Sequence, residues 1–144
     1  MEYTIKYDDP PACARDKMIK TPECFDDEDL MKELFPEHLY EERVYAIFLT
    51  QSLTIRNITL CGVGSQVASV VNITKIARDA IIFACPRVML IHNHPSGSEM
   101  FSRADKALAR KVNEALRLFD CTLDDSLLWT GSRIISAKYT GDFV

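Results

Sequence analysis

Four polar residues near the middle of the chain have the types and spacing that a catalytic metal site requires. His92 ends the apolar run RVMLIH and His94 follows two residues later, so in an extended chain both imidazoles lie on the same side. Ser102 and Asp105 come after a Pro-Ser-Gly turn, three residues apart, at the start of a helical pattern. Two imidazoles and one carboxylate make a three-ligand zinc site with an open fourth position, which is typical of catalytic zinc. Zinc in such a site lowers the pKa of a bound water toward about 7 and so produces a hydrolytic nucleophile.

Each part of this stretch also has a purely structural interpretation. A histidine at the end of a strand is more often a hydrogen-bonded residue than a metal ligand. Ser-x-x-Asp before an apolar periodic run is typical of a helix N-cap with an acid in the first turn. The helical wheel favours a further role for Asp105, because it lies on the flank of an apolar stripe formed by Ala104, Leu108, Val112 and Ala115. An acid that faces partly inward needs a partner, and capping by Ser102 is compatible with metal binding by Asp105.

A hydrolytic site also needs a base that takes a proton from the attacking water. Glu41 and Glu42 immediately precede the apolar run RVYAIFLT, which predicts a strand buried on both faces. A carboxylate at such a position is more often only an edge charge. The spacing therefore leaves both residues as candidates for the base.

Alternating strands and helices surround these residues. The patterns predict strands at 3–7, 43–50, 55–61, 87–92, 122–129 and 133–138, and helices at 26–35, 72–84 and 103–119. A turn is predicted at Gly62–Ser65, and a polar loop or arm with three prolines at 8–28. This order of elements predicts one α/β layer sandwich.

Composition limits the classes of function. The chain of 144 residues with 47% hydrophobic and 26% charged residues is long enough for one domain with one core. A net charge of −4 does not indicate a general electrostatic grip on nucleic acid or on anionic membranes. Five cysteines without a C-x-x-C pair indicate reduced thiols. Because the N-terminus lacks a signal-peptide pattern and no long apolar run occurs, we expect a soluble cytoplasmic protein that does not bind membranes.

The full pattern resembles a known family. H-x-H-P, a serine eight residues after the second histidine and an aspartate three residues later resemble the JAMM (MPN-plus) metalloprotease signature. The string HNHPSG, with the glutamate-led strand ERVYAIFL upstream and an L-D strand downstream, is most similar to the bacterial RadC branch, which is associated with DNA repair. The resemblance spans about residues 40–139. It implies a single mixed β-sheet flanked by helices with the JAB/MPN, cytidine-deaminase-like layer architecture. We expect residues 40–144 to form this domain and residues 1–39 to contribute a strand, an arm and a short helix packed on it.

The resemblance also implies a role for each polar residue. His92, His94 and Asp105 match the zinc ligands of the family, and Ser102 matches the serine that positions or stabilises the oxyanion. Glu42 matches the upstream glutamate that acts as general acid and base. The implied activity is that of a zinc metallopeptidase-type hydrolase, which cleaves an amide or isopeptide bond in a peptide or protein substrate.

The chain departs from the family pattern in three places. The loop Ser98–Phe101 lacks the prolines usual in this branch, and Asp125-Ser126 stands where the branch has Asp-His. Residues 1–40 do not resemble the helix-hairpin-helix DNA-binding segment of longer members, so we expect a short form without it.

A second hypothesis is a non-catalytic binding or scaffold module in a DNA-processing or mobile-element system. It rests on a basic stripe of the long helix that could contact phosphates, formed by Arg103, Lys106, Arg110 and Arg117. Glu114 on the same stripe favours an ordinary solvated face. A metal-dependent nuclease is a weaker interpretation, because no second acidic cluster for a two-metal site is evident.

Overall fold

The computed structural model describes residues 28–37, 39–65, 68 and 70–143. The predicted strand at 3–7 and all but the last residue of the predicted arm lie outside the described residues. The elements in chain order are α1 (Glu28–Leu34), β1 (Glu42–Leu49), β2 (Ile55–Gly64), α2 (Ile73–Ile82), β3 (Arg87–Asn93), α3 (Arg103–Arg117), β4 (Thr122–Trp129), β5 (Ile134–Ser136) and α4 (Ala137–Thr140).

Five strands form one mixed sheet in the order β2-β1-β3-β4-β5. β1 pairs antiparallel with β2 and with β3, and β4 pairs antiparallel with β5. β3 and β4 are parallel, and α3 is the crossover between them. The predicted single mixed sheet flanked by helices is therefore confirmed.

The two faces of the sheet carry separate cores. Val44 and Phe48 of β1 face α2 and α3, where they pack with residues such as Ile76, Val112 and Leu116. Ile47 and Leu49 face the other side and pack with the buried face of α1, which consists of Leu30, Met31 and Leu34. Alternate residues of each central strand thus bury apolar side chains on opposite faces, which explains why these strands read as continuous apolar runs. None of the helices in the described ranges has the length and apolar character needed to cross a bilayer.

Several sequence-based boundaries are wrong, and three of them show why. β2 continues through Gly62 and Gly64, where a turn was expected, because these residues still pair with Val44 and Glu42; the turn begins only at Ser65. The last strand ends at Ser136 rather than at 138, because Ser136 caps α4. The long helix ends at Arg117 rather than at 119.

The buried stripe of α3 also differs from the prediction. Ala104 is exposed and Phe119 is 54% exposed, whereas the buried positions are Asp105, Leu108, Ala109, Val112 and Leu116. The helix is rotated so that Asp105 lies within the stripe that faces the sheet, not on its flank. The carboxylate is consequently directed more fully inward than the sequence pattern indicated.

Candidate metal centre

The end of β3 carries both histidines. His92 lies in β3 and His94 directly follows it, at the carboxyl end of a strand in the middle of the sheet, and their side chains are 5% and 9% exposed, respectively. Their ring centroids are 5.0 Å apart, as expected for two side chains on the same face of an extended chain. The rings lie on the face that packs against α3, because His92 pairs with Val44 of that core.

The first turn of α3 supplies the carboxylate. The Ser102 hydroxyl accepts a hydrogen bond from the Asp105 N–H (3.0 Å), and the Ser102 N–H donates to Asp105 Oδ2 (2.8 Å). This reciprocal pair is a capping box, which satisfies N–H groups that the helix start leaves unpaired. The capping interpretation is therefore correct, and it also fixes Asp105 with one carboxylate oxygen directed at the histidines.

The three candidate ligands converge on that oxygen. Asp105 Oδ2 lies 3.2 Å from His92 Nε2 and 3.1 Å from His94 Nε2, and the ligand atoms of the three residues all lie within 4.8 Å of one another. In a tetrahedral zinc site with bonds of about 2.0 Å, neighbouring ligand atoms are separated by about 3.3 Å. The spacing of this group thus fits a small tetrahedral cation.

Two ring nitrogens provide a test of whether a metal fits. His92 Nε2 is buried and, despite its distance to Asp105, lacks a hydrogen-bond partner among the described residues, because the contact is poorly aligned. His94 Nδ1 lies 3.2 Å from the Ser98 carbonyl oxygen. A carbonyl only accepts, so the proton of a neutral His94 resides on Nδ1 and leaves the Nε2 lone pair directed at the carboxylate. A cation between these atoms would satisfy both nitrogens, and the donor set therefore fits a metal.

The electrostatics of the group also favour a cation. Burial raises the pKa of Asp105, but the nearby imidazoles and the Ser102 N–H outweigh it and lower that pKa well below its usual range. The hydrogen bond with Asp105 raises the pKa of His94 above its ordinary value against the opposing effect of burial. Asp105 is therefore a charged carboxylate inside the protein, and such a group requires compensating positive charge.

Glu42 lies on the same face of the sheet as the histidines. It is the half-buried first residue of β1, and Val44, two residues later, pairs with His92. After the hydrogen bond with Asp105, the negative charge of Glu42 is among the causes that raise the pKa of His94. Glu41 is exposed and precedes the first residue of β1. Of the two candidate bases, Glu42 is thus the one that shares the face of the sheet with the candidate ligands.

Two residues of this region were not singled out from the sequence. The side chain of Asn93 hydrogen-bonds the backbone on both sides of Glu42, through the Arg43 N–H and the Glu41 carbonyl. Phe101 is 7% exposed and its ring packs beside that of His92, with centroids 5.8 Å apart. The alternation of β3 could have indicated that Asn93 faces away from the histidines, but its long-range partners have no local sequence signal.

Asp125 and Ser126, which stand where the RadC branch has Asp-His, are both buried in the sheet. Asp125 is fully buried and accepts hydrogen bonds from the Ser136 hydroxyl and from the Lys138 N–H (3.0 Å), so it anchors the start of α4. Ser126 is buried and pairs with Leu90, two residues before His92. The serine thus occupies the face of the sheet that carries the metal centre, one row of side chains below it.

A cleft of about 320 Å³ opens beside His94. It lies between the end of α1 with its following loop and the carboxyl ends of the parallel strands β3 and β4. Its walls are Lys32, Phe35, Pro36, Glu37, Leu39, Asn93, His94, Pro95, Trp129, Thr130 and Gly131. Open α/β sheets bind ligands at this edge, and the volume lies in the range of small-ligand sites.

The basic stripe lies on the outer face of α3. All four of its residues are exposed, and the ammonium of Lys106 forms an ion pair with Asp142 (3.1 Å). Glu114 is also exposed on this helix. The arrangement has the features of a solvated helix face.

Comparisons with known proteins agree with this geometry. The profile described as RadC-like JAB domain matches residues 25–141. A UPF0758 protein of Roseiflexus castenholzii is 34% identical over 104 residues, which cover 72% of this chain and 45% of the relative. A UPF0758 protein of Listeria innocua is 33% identical over 119 residues, which cover 81% of this chain and 53% of the relative. The chain spans about half the length of these relatives. With four-fifths of its residues matched by the profile, the chain belongs to the RadC-like JAB domain family.

Proposed function

We propose that the protein is a zinc-dependent hydrolase of amide bonds, of the metallopeptidase or isopeptidase type, that acts on a peptide or protein substrate. The observation that carries the proposal is the convergence of two imidazoles and one charged carboxylate at a buried point. Three protein ligands would leave the fourth position of a tetrahedral zinc ion for water or substrate, which is the catalytic arrangement. Two nitrogen ligands and one oxygen ligand at tetrahedral spacing suit zinc.

The residues divide the chemistry among them. His92, His94 and Asp105 would hold the metal, which when bound would supply Lewis-acid polarisation of the scissile carbonyl and activation of a water. Glu42 takes a proton from the attacking water and returns it to the leaving amine, which requires a carboxylate on the metal face of the sheet. The Ser102 oxygen accepts from the Asp105 N–H, so its own hydroxyl proton remains available to donate to the developing oxyanion.

The cleft beside His94 supports a peptide substrate. Phe35, Leu39 and Trp129 give it apolar walls, and Lys32 and Glu37 add one charge of each sign. Such a cleft accommodates an apolar side chain of the substrate next to His94, on the α1 side of the sheet.

The test combines metal analysis with cleavage of a peptide library. We expect about one equivalent of zinc in the purified protein and none in His92→Ala. Glu42→Gln should retain zinc and lose cleavage by about 10²- to 10⁴-fold, since it removes only the proton carrier. Glu41→Gln is the matched control, because it makes the same chemical change on the adjacent exposed residue and should retain both zinc and activity. Wild-type protein without metal, or Glu42→Gln with undiminished cleavage, would contradict the proposal.

A further inference from the structure

We propose that Asn93 is a positioning residue that holds Glu42 at a fixed distance from the metal ligands. The inference rests on the proposed function, since it assigns a task to Asn93 only if Glu42 acts at the metal centre. Its basis is a pair of hydrogen bonds between the side chain of Asn93 and the backbone around Glu42.

The two hydrogen bonds bracket the base. Asn93 Oδ1 accepts from the Arg43 N–H at 2.7 Å, and Asn93 Nδ2 donates to the Glu41 carbonyl oxygen at 3.1 Å. These backbone groups belong to the residues immediately before and after Glu42. One side chain therefore restrains the chain on both sides of the proposed base.

This contact extends the sheet where its backbone ladder stops. The register between β1 and β3 runs from Leu49–Arg87 to Val44–His92. Beyond that pair, the carboxamide of Asn93 continues the pairing, because it offers one donor and one acceptor in a plane as a peptide group does. Asn93 is 4% exposed, so these hydrogen bonds are shielded from competition by water.

The position of Asn93 in the sequence makes the restraint specific. It lies between His92 and His94, and alternation directs its side chain to the opposite face of the strand. The outer residues of His-Asn-His therefore face the metal while the middle residue ties the same strand to the backbone of Glu42. A shift of β3 would therefore move the backbone of Glu42 through the side chain of Asn93.

The first measurement needs no metal. Hydrogen exchange by NMR should show a protected Arg43 amide in the wild type and a loss of that protection in Asn93→Ala. Asn93→Thr serves if the alanine variant fails to fold, since threonine is neutral, favours strands and does not supply both hydrogen-bonding groups. Unchanged protection of the Arg43 amide in the folded variant would overturn the inference.

The second measurement reports on the metal centre. Protein loaded with Co²⁺ is followed by visible absorption against pH, and Glu42→Gln should shift the midpoint of the spectral change. Asn93→Ala should shift it in the same direction with cobalt affinity within about threefold of wild type, a change far below that expected on loss of a ligand. Asn57→Ala is the control, because Asn57 is a buried asparagine of β2 that hydrogen-bonds Thr59, and it should leave the midpoint unchanged.

The outcomes separate the two proposals. A midpoint that moves in Glu42→Gln but not in the Asn93 variant overturns the positioning role alone. So does a loss of cobalt binding in Asn93→Ala as complete as in His92→Ala, because Asn93 would then support the ligands rather than the base. Wild-type protein that binds no cobalt, or Glu42→Gln with an unchanged midpoint, overturns the proposed function and this inference with it. On a cleaved peptide, Asn93→Ala should lower kcat by about 10- to 100-fold, as expected for a displaced catalytic group.

Discussion

Asp105→Asn separates two tasks that a single carboxylate oxygen performs. Oδ2 accepts the Ser102 N–H of the capping box and also faces both histidine nitrogens. The asparagine carbonyl still accepts from Ser102, but the charge that a cation requires is gone. Ser102→Ala is the complementary change, because it removes the hydroxyl that accepts from the Asp105 N–H and leaves the carboxylate in place.

The structure sets the expected size of each effect. For a chain of 144 residues, about 1 kcal/mol of stability corresponds to about 3 °C in the melting temperature. Zinc at one hundred times its Kd adds about 2.7 kcal/mol, so it should raise the wild-type melting temperature by about 8 °C. Loss of an N-cap costs about 1 kcal/mol, so Ser102→Ala should melt about 3 °C below the wild type without metal.

The assay is thermal unfolding of chelator-treated protein with and without added zinc. We expect Ser102→Ala to start from a lower melting temperature and to show most of the zinc-dependent increase. Asp105→Asn should lose that increase. The assignment of Asp105 as a ligand is refuted if Asp105→Asn responds to zinc as the wild type does, and the separation of the two tasks is refuted if Ser102→Ala abolishes the response.

Two further predictions concern ionisable groups. In the metal-free protein, the lowered pKa of Asp105 adds stability above about pH 4. The raised pKa of His94 adds stability below about pH 6.5, and this contribution is lost as the pH rises through the folded-state pKa. The metal-free melting temperature should therefore fall as the pH rises above about 6.5, and a rise in the melting temperature there would contradict the prediction. Burial raises the pKa of Cys85 to about 11 and also raises the pKa of Cys121. Both thiols should therefore resist alkylation at about pH 8, and the half-buried Cys61 should react first among these three cysteines. Mass spectrometry of the labelled peptides tests this order, which is wrong if Cys85 is modified as fast as Cys61.

Local patterns were sufficient to predict much of the fold and the grouping of the candidate ligands. The alternation of a strand predicted that His92 and His94 share a face, and the Ser-x-x-Asp pattern predicted the start of α3. Both predictions depend only on residues that are close in sequence, so they can be made without knowledge of the tertiary structure. The order of elements predicted only the fold class. It did not predict the strand order of the sheet or the parallel pairing of β3 with β4.

Features that depend on distant partners were not predictable in the same way. Gly62 and Gly64 are of a residue type that is common in turns, but both pair with residues of β1 and therefore belong to a strand. In α3, Ala104 is exposed and Ala109 is buried. The two alanines have the same helix propensity, so only the packing of the helix against the sheet determines which of them is buried. The hydrogen bond between Asn93 and Glu41 joins residues 52 positions apart, so no window of sequence contains it.

The cleft beside His94 gives the protein an internal optical reporter. Trp129 is the only tryptophan in the chain, and it lines that cleft together with the histidine. Because indole emission responds to the polarity and quenching groups around it, emission excited selectively from tryptophan originates at this one position. A ligand that enters the cleft is therefore expected to change this emission, which can be followed in unlabelled protein and in real time.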